Sequence, residues 1–350
     1  MLNDMVTARS VFRSAFSRIF PGRASAWRFL TLAVILSPFA ALQPEWRYTL
    51  GPARPIITGT VALDSRDPNR TKLGKLTYLG GVRLMSRDAV FGGFSDLAVI
   101  GDRFVLLSDR GGIVDFRMGK DWQPRDVRFV DLPGGPGLGW STHERDSESL
   151  AHDPATGKFW VGFEVVNEIW RYGPDLRTSE RHVAPPAMAK WSETGGPESM
   201  VRLADGSFVV LSELSAGKNP RLRDGILFSG DPTEAPRHGF RFSYRPPRGY
   251  APTALAELPD GDLLVLLRRF RMPFRFDSRI ERIARAAIRP GATVSGSEVA
   301  ALAAPLIHDN FEGIAVTREN GATIVWIVSD DNQLMLQRSL LLKFRLDPER

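Results

Sequence analysis

A phrase of about eighteen residues recurs along this chain. A short apolar strand opens on an acid, a polar turn carrying Gly and usually Asp follows, and a second apolar strand closes the unit. It reads FSDLAVIGDRFVLLSDRG at 94–111, DSESLAHDPATGKFWVGFE at 146–164 and GPESMVRLADGSFVVLSE at 196–213. It continues as APTALAELPDGDLLVLLRR at 251–269 and FEGIAVTRENGATIVWIVSDD at 311–331. Turn chemistry and strand composition make each copy a β-hairpin. The anchor positions Asp96, Glu148, Glu198, Thr253 and Glu312 are 52, 50, 55 and 59 residues apart. A period near fifty with several strands per unit predicts an all-β propeller. In the second unit, 167–172 and 178–185 supply a third and a fourth strand. The last unit shows a third strand at 339–346 and no fourth before the chain ends. The segment 75–84 fills that gap, so the first strand of the propeller completes its last blade and no sheet edge stays open. This count gives five blades; six is the alternative if 56–63 builds additional sheet. Phe159, Trp160 and Trp326, on second strands, are assigned to the core.

The N-terminus follows a different pattern. Arg9, Arg13, Arg18, Arg23 and Arg28 precede a run without charge from Phe29 to Pro44. The apolar stretch 29–42 would make about 21 Å of helix, short for a bilayer core of about 30 Å. Trp27 and Trp46 flank it like interfacial anchors, and no small-x-small cleavage site follows. Residues 1–45 are therefore read as a basic leader with a signal peptide or an uncleaved signal anchor helix. Residues 46–75 read as a linker and 76–350 as the propeller. Either form of leader puts the body in the periplasm or cell envelope, possible anchoring being in the inner membrane.

Composition alters this picture in two respects. The 350 residues contain no cysteine, which removes disulfides, thiolate metal sites and thiol nucleophiles. The formal charge of +6 invites a nucleic-acid partner. The five leader arginines carry most of it, however, and residues 43–350 hold 41 Lys+Arg against 39 Asp+Glu. No nucleic-acid partner is expected. A Gly-x-Ser-x-Gly elbow, a His-Glu-x-x-His motif and a P-loop are all absent.

In an antiparallel hairpin the start of one strand lies beside the end of the next. Asp96 is thus expected near Asp109, Glu148 near Glu164, Glu198 near Glu213, and Glu312 near Asp330, around one mouth of the central channel. In the fourth unit Thr253 and Arg268 stand at the acid positions. Crowded carboxylates raise one another's pKa or call for a cation. Oxygen ligands alone favour Ca²⁺ or another hard divalent cation, and no organic cofactor is expected. Asp96, Glu148, Glu198, Glu312, Glu164 and Asp330 are the candidate metal ligands. Asp96, Glu148, Glu198 and Glu312 are also candidate acid/base groups, as are His143 and His308 in the lead-in loops. Arg110, Arg145 and Arg268 are candidates for gripping an anionic small-molecule substrate. The alternative for the acids is hydrogen bonding to backbone amides and arginines of neighbouring blades.

The order of FGGFSDL with LLSDRG, ESLAHDP with GFE, GPESM with LSE, and FEGIAV with IVSDD resembles the phytase-like propeller family, also described as the esterase-like domain of phytase. The resemblance spans roughly 76–346. It implies an exported propeller whose repeated acids form a hydrolytic or metal-binding site. The expected function is hydrolysis of phosphate or carboxylic esters, with possible assistance from a metal. A non-catalytic envelope binding propeller and a lactonase-like calcium propeller are the alternatives.

Overall fold

The computed structural model describes residues 54–348 apart from 138–143, 216, 218, 273–274 and 333–336. The leader, including the apolar run 29–42, lies outside the described residues. Among those described, no helix is long and apolar enough to cross a membrane.

Five antiparallel sheets, each a blade, succeed one another along the chain. Blade 1 is Phe94–Ile100, Arg103–Ser108, Gly112–Met118 and Pro124–Asp131. Blade 2 is Ser147–His152, Phe159–Phe163, Glu168–Tyr172 and Ser179–Val183. Blade 3 is Ser199–Arg202, Phe208–Leu211, Arg223–Phe228 and Gly239–Tyr244, with Thr293–Val294 added in parallel at its outer edge. Blade 4 is Ala251–Glu257, Leu263–Arg271, Arg275–Ile283 and Ser297–Leu302. Blade 5 takes Asn310–Glu319, Ala322–Asp330 and Leu340–Leu346 from the C-terminal end and Leu76–Met85 from the N-terminal end. The ring is thus closed by the early strand, as the repeat predicts. The segment 56–63 makes no sixth blade. Its strand Ile57–Thr60 instead lengthens blade 5 by pairing with Leu76–Met85. Residues read as linker therefore carry edge strands, and Ile56 and Leu63 are buried.

The core is divided as a propeller requires. Each apolar cluster fills one gap between adjacent blades, because the inner strands bury side chains on both faces of the sheet while outermost strands such as Pro124–Asp131 stay half-buried or exposed. Leu266, Ile280, Ile327, Leu342 and Phe344 join blades 4 and 5. Phe104, Phe116, Trp326 and Leu341 join blades 5 and 1. The rings of Phe104 and Trp326 meet edge to face with centroids 4.8 Å apart. Phe159 packs between blades 1 and 2, and Trp160 meets Phe208 between blades 2 and 3, centroids 5.0 Å apart.

One local feature sets up the site. The innermost strand carries an extra residue near its start, opposite no partner on the second strand. That residue is Ser95 in blade 1, Glu148 in blade 2, Thr253 in blade 4 and Glu312 in blade 5. In blade 3, Glu198 immediately precedes the paired strand. A β-bulge re-aims the unpaired side chain, and at Ser95, Glu148 and Glu312 it faces the channel mouth.

Candidate functional site: an acidic channel mouth

The bulges and the ends of the second strands converge on one cavity of about 340 Å³. Glu148, Glu198 and Glu312 enter it from the innermost strands. Asp109, Glu164, Glu213, Arg268 and Asp330 enter from the second strands, joined by Asp146, Ser95, Thr194 and Asn332. Seven of the eight acids expected at this mouth line the cavity; Asp96 does not.

Asp96 stands one residue past the bulge, so its side chain turns into the wall. Leu97 N and Leu150 N donate to its two oxygens at 2.8 and 2.7 Å. Ser95 takes the place equivalent to the glutamates, and its hydroxyl donates to Ser147 O at 2.7 Å. The anchor of blade 1 is therefore Ser95, and Asp96 fastens blade 1 to blade 2. Ser149 and Thr253 make similar ties, to Pro197 O at 2.6 Å and Phe311 O at 3.4 Å. Gly313 is the residue after the bulge in blade 5. A Cβ there would lie 2.8 Å from Asp96 Cα, so only glycine lets blades 5 and 1 approach this closely. Asp96→Asn is expected to destabilise the fold by about 1–2 kcal/mol, because an amide NH₂ would face a backbone donor. It should leave any cation response intact. Equilibrium denaturation with and without Ca²⁺ checks both, and loss of the cation response would return Asp96 to the ligand set.

Two other expectations change. Arg145 is buried away from the cavity, donating from Nη1 to Leu132 O at 3.1 Å and lying 3.6 Å from Asp131. It braces a loop there. His308 sits beside the carbonyl of Leu306, Nδ1 to O 2.7 Å, outside the cavity lining. His143 lies outside the described residues. Arg110 lies 3.8 Å from Asp109.

Two sets of acids bring carboxylate oxygens within 4.8 Å of one another: Asp146, Glu148 and Glu164, and Glu164, Glu198 and Glu213. Glu164 is common to both. Sequence reasoning missed Asp146, although it stands two residues before Glu148 in an extended chain, the spacing that puts side chains on one side. Glu164 is anchored from its backbone, its N–H donating to Asp146 O at 2.7 Å. Arg268 occupies the fourth-blade position otherwise held by an acid. Its Nη2 donates to Glu213 Oε1 at 3.0 Å and its Nη1 to Asn310 Oδ1 at 3.2 Å and to Glu312 Oε1. The arginine is thus committed to the wall of the mouth and positions Glu213 and Glu312. Asp330 accepts from Asn310 Nδ2 at 3.1 Å and Asn332 N at 2.6 Å.

Burial and mutual repulsion show in the protonation of these groups. Burial, then Glu198, Asp146 and Glu164, push Glu148 well above the carboxylate range. Burial and Glu213 do the same for Glu198, against the pull of Arg268. Glu164 rises to about 8 through burial and Asp146. Glu312 rises to about 7 through burial, opposed by Arg268. Asp109 rises to about 6 through burial, opposed by Arg110.

A five-bladed propeller with a carboxylate-lined channel mouth is the class that fold and site define. The chain belongs to the phytase-like family, described as esterase-like activity of phytase, whose model matches residues 89–333. Among curated proteins, no sequence matches it. Similar solved structures include a protein of unknown function from Bacteroides thetaiotaomicron VPI-5482, 13% identical over 84% of this chain and 76% of that one, TM-score 0.43. An exo-1,5-alpha-L-arabinanase from a bovine ruminal metagenomic library is 10% identical over 75% and 96%, TM-score 0.43. Hydrazine synthase of Kuenenia stuttgartiensis is 13% identical over 69% of this chain, which spans only 58% of that one, TM-score 0.34. These likenesses carry no functional argument.

Proposed function

We propose that the channel mouth is the site of a hydrolase for phosphate or carboxylic esters, assisted by a divalent cation. The observation that carries this reading is the pair of carboxylate sets joined at Glu164. An all-oxygen, strongly anionic donor set fits Ca²⁺ or Mg²⁺. Asp146, Glu148, Glu164, Glu198 and Glu213 are the residues that would hold it. When bound, such a cation polarises an ester oxygen and lowers the pKa of a water. The remaining work falls to the chain's own groups. Asp109 and Glu312, raised to about 6 and 7, exchange protons in the range suited to acid/base catalysis. Arg268 fixes Glu312 and Glu213, and Arg110, outside the cavity lining but 3.8 Å from Asp109, is the arginine placed to meet an anionic substrate at the rim. In this reading the body works outside the cytoplasm, delivered by residues 1–45, and cell fractionation of the full chain tests that placement.

The test is a cation titration by thermal melting, paired with turnover of p-nitrophenyl phosphate and p-nitrophenyl acetate. A rise in Tm with Ca²⁺, Mg²⁺ or Mn²⁺ and cation-dependent turnover of either ester are expected. A Tm shift without turnover of these or longer esters would replace the hydrolase by a binding propeller, and no shift at all would remove the metal.

Proton linkage gives a second expectation. In cation-free protein the folded carboxyls hold protons to about pH 6–8, whereas the unfolded chain releases them near pH 4. The native state therefore binds more protons across this window, and stability falls as pH rises from about 4 to 8. A cation competes with those protons, so its stabilising effect should grow over the same range. Melting at pH 5 and pH 8, with EDTA and with Ca²⁺, checks both slopes. A cation-free Tm that climbs toward pH 8 would contradict the arrangement.

A further inference from the structure

We infer that the described ends of the second and third strands of blade 4, residues 269–272 and 275–277, form a docking surface for an anionic phospholipid membrane, placed beside the channel mouth. The inference stands on blade 4 and its neighbours and is independent of the hydrolytic reading. The second and third strands of this blade, Leu263–Arg271 and Arg275–Ile283, pair out to Arg271 opposite Arg275. Arg269, Arg271 and Arg275 all turn to one buried carboxylate, Asp277, at 2.8, 2.8 and 3.8 Å. Three guanidiniums against one carboxylate leave two positive charges in excess. Arg271 and Arg275 stay 50% and 44% exposed at their side chains, so these charges face solvent. Arg269 is further held in place over the Tyr250 ring at 4.5 Å.

Apolar side chains stand at the same strand ends. Met272 is 77% exposed and Phe270 50% exposed, the latter paired across the hairpin with Phe276 at 5.1 Å between centroids. Among the described residues, six large hydrophobic side chains are exposed. Four of them, Val166, Leu214, Phe270 and Met272, lie at or beside the turns joining the second and third strands of blades 2, 3 and 4. Those turns share the end of the propeller that carries the acidic mouth. Exposed apolar side chains beside the surplus arginine charge of blade 4 fit the boundary of a bilayer, where arginine meets phosphate head groups and the apolar side chain enters the acyl region. A soluble polyanion would have no use for the apolar side chains, and an apolar protein partner none for the excess charge. The leader read at 1–45 brings the chain to a membrane by a separate route.

The absence of cysteine makes a direct test available. The full chain carrying Met272→Cys, labelled with an environment-sensitive fluorophore, is mixed with phosphatidylcholine vesicles or with vesicles containing phosphatidylglycerol. Blue-shifted emission is expected with the anionic vesicles only, weakening as salt is raised. In the Arg271→Ser/Arg275→Ser background the apparent affinity should fall roughly 25-fold, about fivefold per arginine. Arg271→Lys/Arg275→Lys should restore most of it, which separates loss of charge from loss of fold. No shift with anionic vesicles, an equal shift with neutral ones, or a shift that survives the serine pair would overturn the inference. So would a shift produced by inorganic phosphate alone, or by raising protein concentration without lipid, which would assign the surface to a free anion or to a second copy of the chain.

Discussion

Glu164→Gln is expected to abolish most of the cation response of the mouth and to lower ester turnover at least about a hundredfold. Glu164 is the one side chain shared by both carboxylate sets, so a single neutral replacement removes a ligand from each. The amide has the shape of the acid but carries no charge and turns an NH₂ toward any cation. Direct ligands matter more than their supporting partners, whose loss already costs about 10–100-fold in metal affinity. At a cation concentration of about 100 times Kd, wild type should gain about 2.7 kcal/mol. For the roughly 300 residues of the propeller that corresponds to a rise in Tm of about 4 °C. Binding weakened a hundredfold leaves only about 0.4 kcal/mol at the same concentration. The fold itself should survive. The carboxyl of Glu164 is already pushed up to about 8 by burial and Asp146, so its neutral form is the favoured one below that pH. The cation-free variant should also lose stability less steeply between pH 5 and 8 than wild type does. Thermal melting with EDTA and with Ca²⁺ reads each of these, and a full cation response in the variant would move the cation away from the mouth.

Arg268→Ala is the complementary change, and it should act on stability first. Arg268 holds Glu213 of blade 3 and Glu312 of blade 5 together across blade 4. Removing it leaves two carboxylates in a largely buried ring with their cation gone. Breaking such a pair from one side costs about 3 kcal/mol or more, because the remaining charge is uncompensated. The expected fall in Tm is about 5 °C at pH 8. At pH 5 the loss should shrink, since Glu312, already at about 7 with the arginine present, would hold its proton more firmly without it. Added Ca²⁺ should recover part of the loss at pH 8 by supplying the missing positive charge. Arg268→Lys should recover less than the charge alone suggests, because one ammonium cannot span Glu213, Glu312 and Asn310 as a planar guanidinium does. Melting curves of both variants at the two pH values check this. A Tm unchanged at pH 8 would mean that the ring does not depend on its arginine.

Much of the fold was legible because a propeller writes its period into the chain. The recurring hairpin, its Gly and Asp turn and the missing fourth strand of the last unit pointed to five blades, with six as the alternative, and to closure by 75–84, where the structure has the strand Leu76–Met85. The convergence of Glu148, Glu164, Glu198, Glu213 and Glu312 was equally legible, since strand pairing alone brings those ends together. The contacts of individual side chains were not. In blade 1 the bulge falls on Ser95, and a shift of one residue turns a strand's side chains to the other face. Asp96 therefore ties two blades while a serine lines the mouth. Arg145 and Arg268 are both arginines near a strand end. One binds a loop carbonyl and the other bridges two glutamates, according to which chain segment passes beside it.

By itself the sequence determined the repeat and the end of the channel at which acids gather, because each follows from spacing along one chain; five blades rather than six was decided by the structure, in which Ile57–Thr60 joins blade 5. Only the tertiary structure decided which acids share a neighbourhood and which are spent on the wall. It joined Asp146, Glu148 and Glu164 from blade 2 to Glu198 and Glu213 from blade 3, set Arg268 against two of its neighbours, and turned Asp96 away. The physical reason is that carboxylate interactions change over a few ångströms, the scale set by bulges and by the approach of one blade to the next.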